Sequence, residues 1–148
     1  MGSRGNELGN ILSGMQGGIT MREILFRGKD ADTGFWCFGD LSFDKEKNTF
    51  IRMWTHNGYA VRKVIPETVC QYTGQNDRDR KKIYEGDLVF VDAYGISAEE
   101  GAGIIFWDNE EAMYEIRFSG LTVGFQSIYG YECEVVGNKW DNPELLEV

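Results

Sequence analysis

The feature of this sequence that most constrains its fold is a run of eight polar residues, 75–82, set between two segments with strand character. The segment 68–72 is rich in β-branched and aromatic residues, which fit the pleated surface of a sheet, and Thr73-Gly74 ends it. The run itself holds only Gln, Asn, Asp, Arg and Lys, and burial of so many polar groups would cost too much free energy. We therefore expect an exposed turn between two strands.

The segment after the polar run returns the chain to a core at Ile83-Tyr84 and continues as an apolar strand. Gly86 is predicted to take a positive φ, which a residue with a Cβ would resist. Asp87 is placed to accept hydrogen bonds from backbone N–H groups of the turn. The continuous apolar run 88–91 is typical of a strand buried on both faces, and a Gly-Asp pair before such a strand is common in small SH3-like barrels.

Two groups of charged residues in this stretch also permit functional interpretations. Glu85 and Asp87 lie two residues apart, which on an extended chain places both on one face, as an acid/base pair or half of a metal site. No His or third carboxylate adjoins them in the sequence, so we favour a structural role in the turn. The basic residues of 78–82 are suited to contact phosphates, but such a run is more often a solvated loop.

The elements Gln71-Tyr72-Thr73-Gly74 and 83–89 resemble the characteristic pattern of the YopX family of small phage and prophage proteins. Further similar blocks begin at residue 21 and end at residue 146, so the resemblance covers nearly all of the chain after residue 20. It implies a largely β protein with SH3-like barrel character, encoded on mobile elements, and it implies no activity. The matching motif positions, for which we predict a structural role, are Gln71, Tyr72, Thr73, Gly74, Ile83, Tyr84, Glu85, Gly86, Asp87, Val89, Gly137, Asn138, Asn142 and Pro143.

The rest of the sequence predicts a mainly β protein with few short helices. Short segments rich in aromatic and β-branched residues alternate with turns of Asp, Asn, Gly and Thr. Pro66 is the predicted boundary between an antiparallel β N-terminal half, residues 21–66, and an SH3-like barrel or small β-roll, residues 67–148. Residues 1–20 hold six Gly and few large apolar side chains, and we interpret them as a leader or a flexible extension.

The composition argues against several classes of function. A net charge of −9, from 24 acidic and 15 basic residues, opposes broad non-specific nucleic-acid binding, which needs neutralised phosphates. Cys37, Cys70 and Cys133 are widely spaced and match neither a disulfide framework nor a zinc site. His56 is the only histidine and lies in a turn signal. We see no signal peptide and no apolar stretch near the ~18 residues of a membrane span, so we expect a cytoplasmic protein of a bacterial host cell. We also expect no cofactor.

Aromatic residues recur on successive predicted strands of the N-terminal half: Trp36, Phe38, Phe50, Trp54 and Tyr59. Because large aromatic side chains in short strands mostly bury area, we expect them to fill a small core. The alternative is an exposed platform on which the bases of single-stranded nucleic acid stack. The basic residues available to such a platform are Arg52, Arg62, Lys63 and those of 78–82.

We predict a non-enzymatic accessory or regulatory module that binds a macromolecular partner, with an unidentified protein favoured over nucleic acid. The loops 75–82 and 94–103 are the predicted contact surfaces, and self-association through an open edge strand is a further possibility. The remaining alternative is a small enzyme that uses Glu85, Asp87 or Asp108, although no nucleophile–base pair or metal-ligand set is visible in the sequence. The candidate partner-binding residues are Arg78, Arg80, Lys81 and Lys82.

Overall fold

The computed structural model describes residues 21–93, 96 and 101–146. The described residues form short strands joined by turns, which confirms the predicted mainly β class. The strands are β1 (Phe26–Lys29), β2 (Trp36–Phe43), β3 (Thr49–Thr55), β4 (Gly58–Lys63), β5 (Cys70–Asn76), β6 (Lys82–Tyr84), β7 (Asp87–Val91), β8 (Gly103–Asp108), β9 (Met113–Phe118), β10 (Leu121–Gly124) and β11 (Cys133–Asn138). Short 3₁₀ turns lie at Pro66–Thr68, Phe125–Ser127, Gly130–Glu132 and Pro143–Leu146.

The strands pair in two antiparallel sheets. The first sheet has the order β4-β3-β2-β1-β5-β6, and the second has the order β10-β9-β8-β7-β11. Because β1 pairs with both β2 and β5, the first sheet takes strands from both sides of Pro66. The division of the chain into subdomains at Pro66 stays a prediction. The first sheet contains strands from both predicted halves, because β1 pairs with β5.

The main hydrophobic core belongs to the second sheet and the segments around it. Leu88, Val89 and Val91 of β7 are buried, as the continuous apolar run predicted. Val89 and Val91 belong to one cluster with aliphatic residues of β8 and β9, such as Ile105 and Ile116, which are fully buried. Two smaller clusters belong to the first sheet, one around Ile51 and one formed by Cys70, Tyr72 and Tyr84, so the described residues form three apolar clusters.

The cysteines are free and buried in the described part of the chain, so the predicted lack of a disulfide framework holds for all three. Burial raises the pKa of Cys70 to about 11 and that of Cys133 to about 12, which keeps both thiols protonated at neutral pH. None of the described helical segments is long and apolar enough to cross a bilayer.

The aromatic residues of the N-terminal half correct an expectation. The strand register places them on one face of the first sheet, but Trp54, Tyr59 and Phe38 are 75%, 58% and 46% exposed. The physical reason is that only part of this face is covered by other residues. At the Trp36 end, Trp140, which follows β11, packs edge-on against Trp36 with ring centroids 5.4 Å apart. The β3–β4 end of the face has no such layer over it among the described residues, so the predicted aromatic core is wrong there.

Two predicted features fall outside the described residues. They are residues 1–20, interpreted above as a leader or flexible extension, and most of the predicted contact loop 94–103. The contact surface considered below is therefore built from the turn 75–82 and its neighbours.

Candidate functional site

The polar run forms a turn that is fixed to the second sheet through Asp77. This side chain is 5% exposed, which corrects the expectation that the whole run is solvated. One carboxylate oxygen accepts hydrogen bonds from the backbone N–H of Asp79 at 2.8 Å and Lys81 at 2.9 Å. The other accepts from the backbone N–H of Val135 on β11 at 2.9 Å. The turn is therefore docked on the second sheet by a buried anchor, and Arg78, Asp79 and Arg80 are exposed around it.

Replacing Asp77 with alanine should lower the free energy of unfolding by about 3 kcal/mol or more. The change leaves three backbone N–H groups without their charged acceptor, and hydrogen bonds to charged groups contribute about 1.5–3 kcal/mol each. Chemical denaturation of the two proteins measures the difference. Asp79→Ala is the matched control, because Asp79 is exposed in the same turn and should change stability by no more than about 0.5 kcal/mol. Equal losses in the two variants would contradict the anchoring role.

The four candidate partner-binding residues separate in the structure. Arg78 and Arg80 are exposed on the turn, and Arg80 takes a φ of 67°. Lys81 and Lys82 instead line a groove between the two sheets. The ammonium of Lys82 also lies 3.4 Å from the carboxylate of Glu23, an exposed pair. Only half of the predicted basic cluster therefore faces a concave surface.

The floor of the same groove contains an ion pair that the sequence analysis missed. Arg27 of β1 is 6% exposed, and its Nη2 lies 2.7 Å from Oδ1 of Asp87. The same guanidinium donates to Sγ of Cys70 at 3.0 Å and to the carbonyl oxygen of Glu85 at 3.2 Å. Burial raises the pKa of Asp87, and the positive charge of Arg27 opposes that rise.

Aromatic rings hold the guanidinium of Arg27 on two sides. Its Cζ lies 4.6 Å from the ring centre of Trp36 and 4.7 Å from that of Tyr84. Cation–π contacts of this kind are stronger when the charge is desolvated. Arg27 thus ties β1, β2 and the motif around Tyr84 into one unit, and the only sequence signal for it was a single basic residue in a strand-like segment.

Glu85 and Asp87 have separate structural roles. Oδ2 of Asp87 accepts from the backbone N–H of Tyr84 at 2.8 Å, which confirms the predicted capping. Oε1 of Glu85 accepts from the backbone N–H of Gln71 at 2.7 Å, and burial raises the pKa of Glu85. Asp87 lines the large groove, whereas Glu85 lines two smaller cavities.

Gly86 explains why the two carboxylates do not share a face. Its φ is 81°, as predicted, so the chain between Glu85 and Asp87 is not extended. The expectation of a common face was therefore wrong. The described residues contain no group of three His, Cys, Asp or Glu side chains placed to hold a metal ion.

The C-terminal motif residues build a tight turn after β11. The side-chain oxygen of Asn138 accepts from the backbone N–H groups of Trp140 at 3.1 Å and Asp141 at 2.9 Å. Oδ1 of Asn142 accepts from the backbone N–H of Asn138 at 3.2 Å. A Cβ on Gly137 would lie 2.4 Å from that same oxygen, so the position has no room for a side chain. Pro143 then begins the last 3₁₀ turn.

Asp141 joins this turn to the first sheet. Its carboxylate accepts from Nε1 of Trp36 at 2.7 Å, from Nδ2 of Asn138 at 3.0 Å, and from Nζ of Lys29. The hydrogen bond from Lys29 lowers the pKa of Asp141 from 3.8 to about 2, and those from Trp36 and Asn138 act in the same direction. The ionised form of Asp141 therefore holds the two sheets together.

The stability contributed by Asp141 should depend on pH. Because its pKa is lower in the folded state, ionised Asp141 stabilises the fold above pH 3.8, and that stability is lost as the pH falls through about 2. The difference in unfolding free energy between the wild type and Asp141→Asn should be largest at neutral pH and shrink toward pH 2. Comparing the two proteins isolates this effect from Glu85 and Asp87, whose raised pKa values act in the opposite direction. A constant difference across this range would contradict the assignment.

We call the concave surface between the two sheets the motif groove. Its volume is about 640 Å³. Apolar side chains from both sheets form most of the wall, and the two lysines of the charged turn lie among the lining residues. The lining residues are Leu25, Arg27, Phe38, Lys81, Lys82, Tyr84, Asp87, Val135, Val136, Gly137 and Asn138. Since Arg27 and Asp87 neutralise one another, the other charged side chains of the lining are Lys81 and Lys82, and Lys82 also pairs with the exposed Glu23.

A solved protein structure has a fold similar to that of this chain. The crystal structure of protein EF1440 from Enterococcus faecalis superposes with a TM-score of 0.51, covering 84% of this chain and 98% of that one. The two sequences are 19% identical, so the likeness concerns the fold alone. The comparison with curated proteins gave no match. Residues 25–147, which include the central motif, the groove and the C-terminal turn, match the family described as YopX protein. This chain therefore belongs to the YopX protein family.

Proposed function

We propose that this protein is a non-enzymatic binding module that holds a segment of a partner protein in the motif groove. The observation that carries the proposal is convergence: motif residues from distant parts of the chain, Tyr84, Asp87, Gly137 and Asn138, line one groove with Lys81 and Lys82. The proposed setting is the cytoplasm of a bacterial cell that carries the phage or prophage encoding the protein, in line with the family resemblance.

The chemistry of the groove defines the segment it would accept. Apolar wall residues such as Leu25, Phe38 and Val136 favour an aliphatic or aromatic side chain, since burial of apolar area drives such contacts. Lys81 and Lys82 add two ammonium groups and favour a neighbouring carboxylate. The proposed ligand is therefore an acidic segment with apolar side chains.

Rigidity of the groove supports the same proposal. Asp77 fixes the backbone of Lys81, and the Arg27–Asp87 pair fixes the floor. A preorganised site loses less conformational entropy when its ligand binds. The open, barrel-like arrangement of the sheets, which we relate to SH3-like modules, would leave such a groove accessible to a partner segment.

The test is a photo-crosslinking experiment with a benzophenone amino acid at Val136, which lines the groove, in lysate from phage-infected host cells. Lys81→Glu combined with Lys82→Glu should abolish the crosslinked protein. Arg78→Glu combined with Arg80→Glu changes the charge equally in the same turn but outside the groove, and should leave the crosslink intact. Nuclease treatment should have no effect. A crosslink that survives the lysine reversals, or that disappears with nuclease, would contradict the proposal.

A further inference from the structure

The exposed end of the first sheet carries an aromatic surface separate from the groove walls. Trp54 and Tyr59 are directly paired across β3 and β4, and their rings meet edge-on with centroids 5.6 Å apart. They are 75% and 58% exposed. Val61, on the same face, is half exposed. Large exposed apolar groups that adjoin one another mark interaction sites more often than isolated ones do.

Cationic side chains occupy the same face. The guanidinium carbon of Arg52 lies 5.3 Å from the ring centre of Tyr59, and Lys63 lies opposite Phe50 in the strand register. Arg52 also pairs with Asp40 at 3.3 Å, but both side chains are about half exposed. Exposed pairs of this kind contribute little, so Arg52 is able to exchange Asp40 for another anion.

Arg62, one of the basic residues expected beside the aromatic rings, does not lie on this face. Arg62 lies between Val61 and Lys63 on β4 and therefore points to the opposite face. Its Nε lies 2.6 Å from Oδ2 of Asp30. The cations that remain beside the aromatic rings are Arg52, which pairs with Asp40, and Lys63, which lies within electrostatic reach of Asp44.

We propose that this surface, the aromatic face, defined by Arg52, Trp54, Tyr59, Val61 and Lys63, binds single-stranded nucleic acid. Unpaired bases stack on exposed rings and on guanidinium planes without a sequence requirement. Arg52 and Lys63 neutralise two phosphates of the bound strand. The proposal goes beyond the proposed function, because the aromatic face shares no residue with the lining of the motif groove.

The overall acidity of the protein sets the character of this binding. A chain with a net charge of −9 repels nucleic acid at a distance, so contact depends on stacking and on the two local cations. Each neutralised phosphate of a single strand contributes about −0.7 to the slope of log affinity against log salt. Two phosphates give a slope of about −1.4, which is shallow for a nucleic-acid-binding protein.

The experiment is a fluorescence-anisotropy titration of the full chain against a labelled oligothymidylate of about 12 nucleotides, a length within the range covered by single binding folds. Trp54→Ala should weaken binding about tenfold, since removal of a stacking ring costs about 1–3 kcal/mol per base. Trp107→Ala is the matched control, because Trp107 is an exposed tryptophan, 41% accessible, on the second sheet. It should leave affinity within about twofold.

The outcomes separate this inference from the proposed function. Loss of affinity in Trp54→Ala and Tyr59→Ala at unchanged melting temperature, with full affinity in the Lys81→Glu, Lys82→Glu double variant, supports an aromatic-face site. No saturable change in anisotropy at low salt would overturn it. So would equal weakening by Trp54→Ala and Trp107→Ala, or binding that is lost only when the groove lysines are reversed. The first two negative results would leave protein binding in the motif groove untouched, whereas the third would place nucleic acid in that groove and count against both proposals.

Discussion

Replacing Arg27 with methionine is expected to lower the free energy of unfolding by about 3–5 kcal/mol. Removing one partner of a buried ion pair leaves the other charge uncompensated in a desolvated site, and losses of this size are typical. The side chains of Arg27 and Asp87 are 8% and 2% exposed, and their charged atoms lie 2.7 Å apart. Methionine fills part of the space between Trp36 and Tyr84 without supplying a charge. Equilibrium denaturation in urea measures the loss.

Two controls identify the buried charge as the cause. Arg52→Met breaks the pair with Asp40, whose side chains are 46% and 53% exposed, and should cost no more than about 1 kcal/mol. Adding Asp87→Asn to Arg27→Met removes the orphaned charge but keeps an acceptor for the backbone N–H of Tyr84. This double variant should recover part of the lost stability. A double variant that is less stable than Arg27→Met would show that the loss arises from packing and not from the unpaired carboxylate.

The second large effect is expected for Gly86→Ala, which should lower the free energy of unfolding by about 2–5 kcal/mol. The φ of 81° disfavours any residue with a Cβ, at about 1–2 kcal/mol. An added Cβ would also lie 2.5 Å from the ring of Trp140, and overpacking of this kind costs about 1–3 kcal/mol. The melting curve and the urea midpoint report the sum of the two effects.

Gly74→Ala separates backbone strain from steric overlap. Gly74 has a φ of 93°, but nothing lies within 4 Å of its would-be Cβ. This variant should therefore lose only about 1–2 kcal/mol. Trp140→Leu should rescue part of the loss in Gly86→Ala by opening space. Equal effects at the two glycines would contradict the role of the Trp140 contact.

The central stretch shows how much local chemistry predicts. The positive φ of Gly86 follows from a glycine in a turn, and the hydrogen bond from Tyr84 to Asp87 follows from an Asp at a strand entry. The burial of β7 follows from an unbroken apolar run. These features depend on a few adjacent residues, so sequence patterns contain the necessary information.

The contacts of Arg27 are an example of what local sequence patterns do not predict. In the sequence, Arg27 is one basic residue in a strand-like segment, and its contact Cys70 lies 43 residues away along the chain. Asp77 is similar, because its acceptor role toward Val135 spans 58 residues. Such pairs depend on how strands are ordered in a sheet, and residue types within one segment do not encode that order.

The sequence alone therefore determined the mainly β class, the turn chemistry around Gly86 and Asp87, and the resemblance to the YopX family. Only the tertiary structure decided which of the predicted residues lie close together. In the fold, Lys81 and Lys82 line the groove and Arg78 and Arg80 lie outside it. The side chain of Trp54 is exposed. The physical reason is that alternation along a strand shows which side chains share a face. Whether another layer covers that face depends on contacts between strands that are distant in the chain.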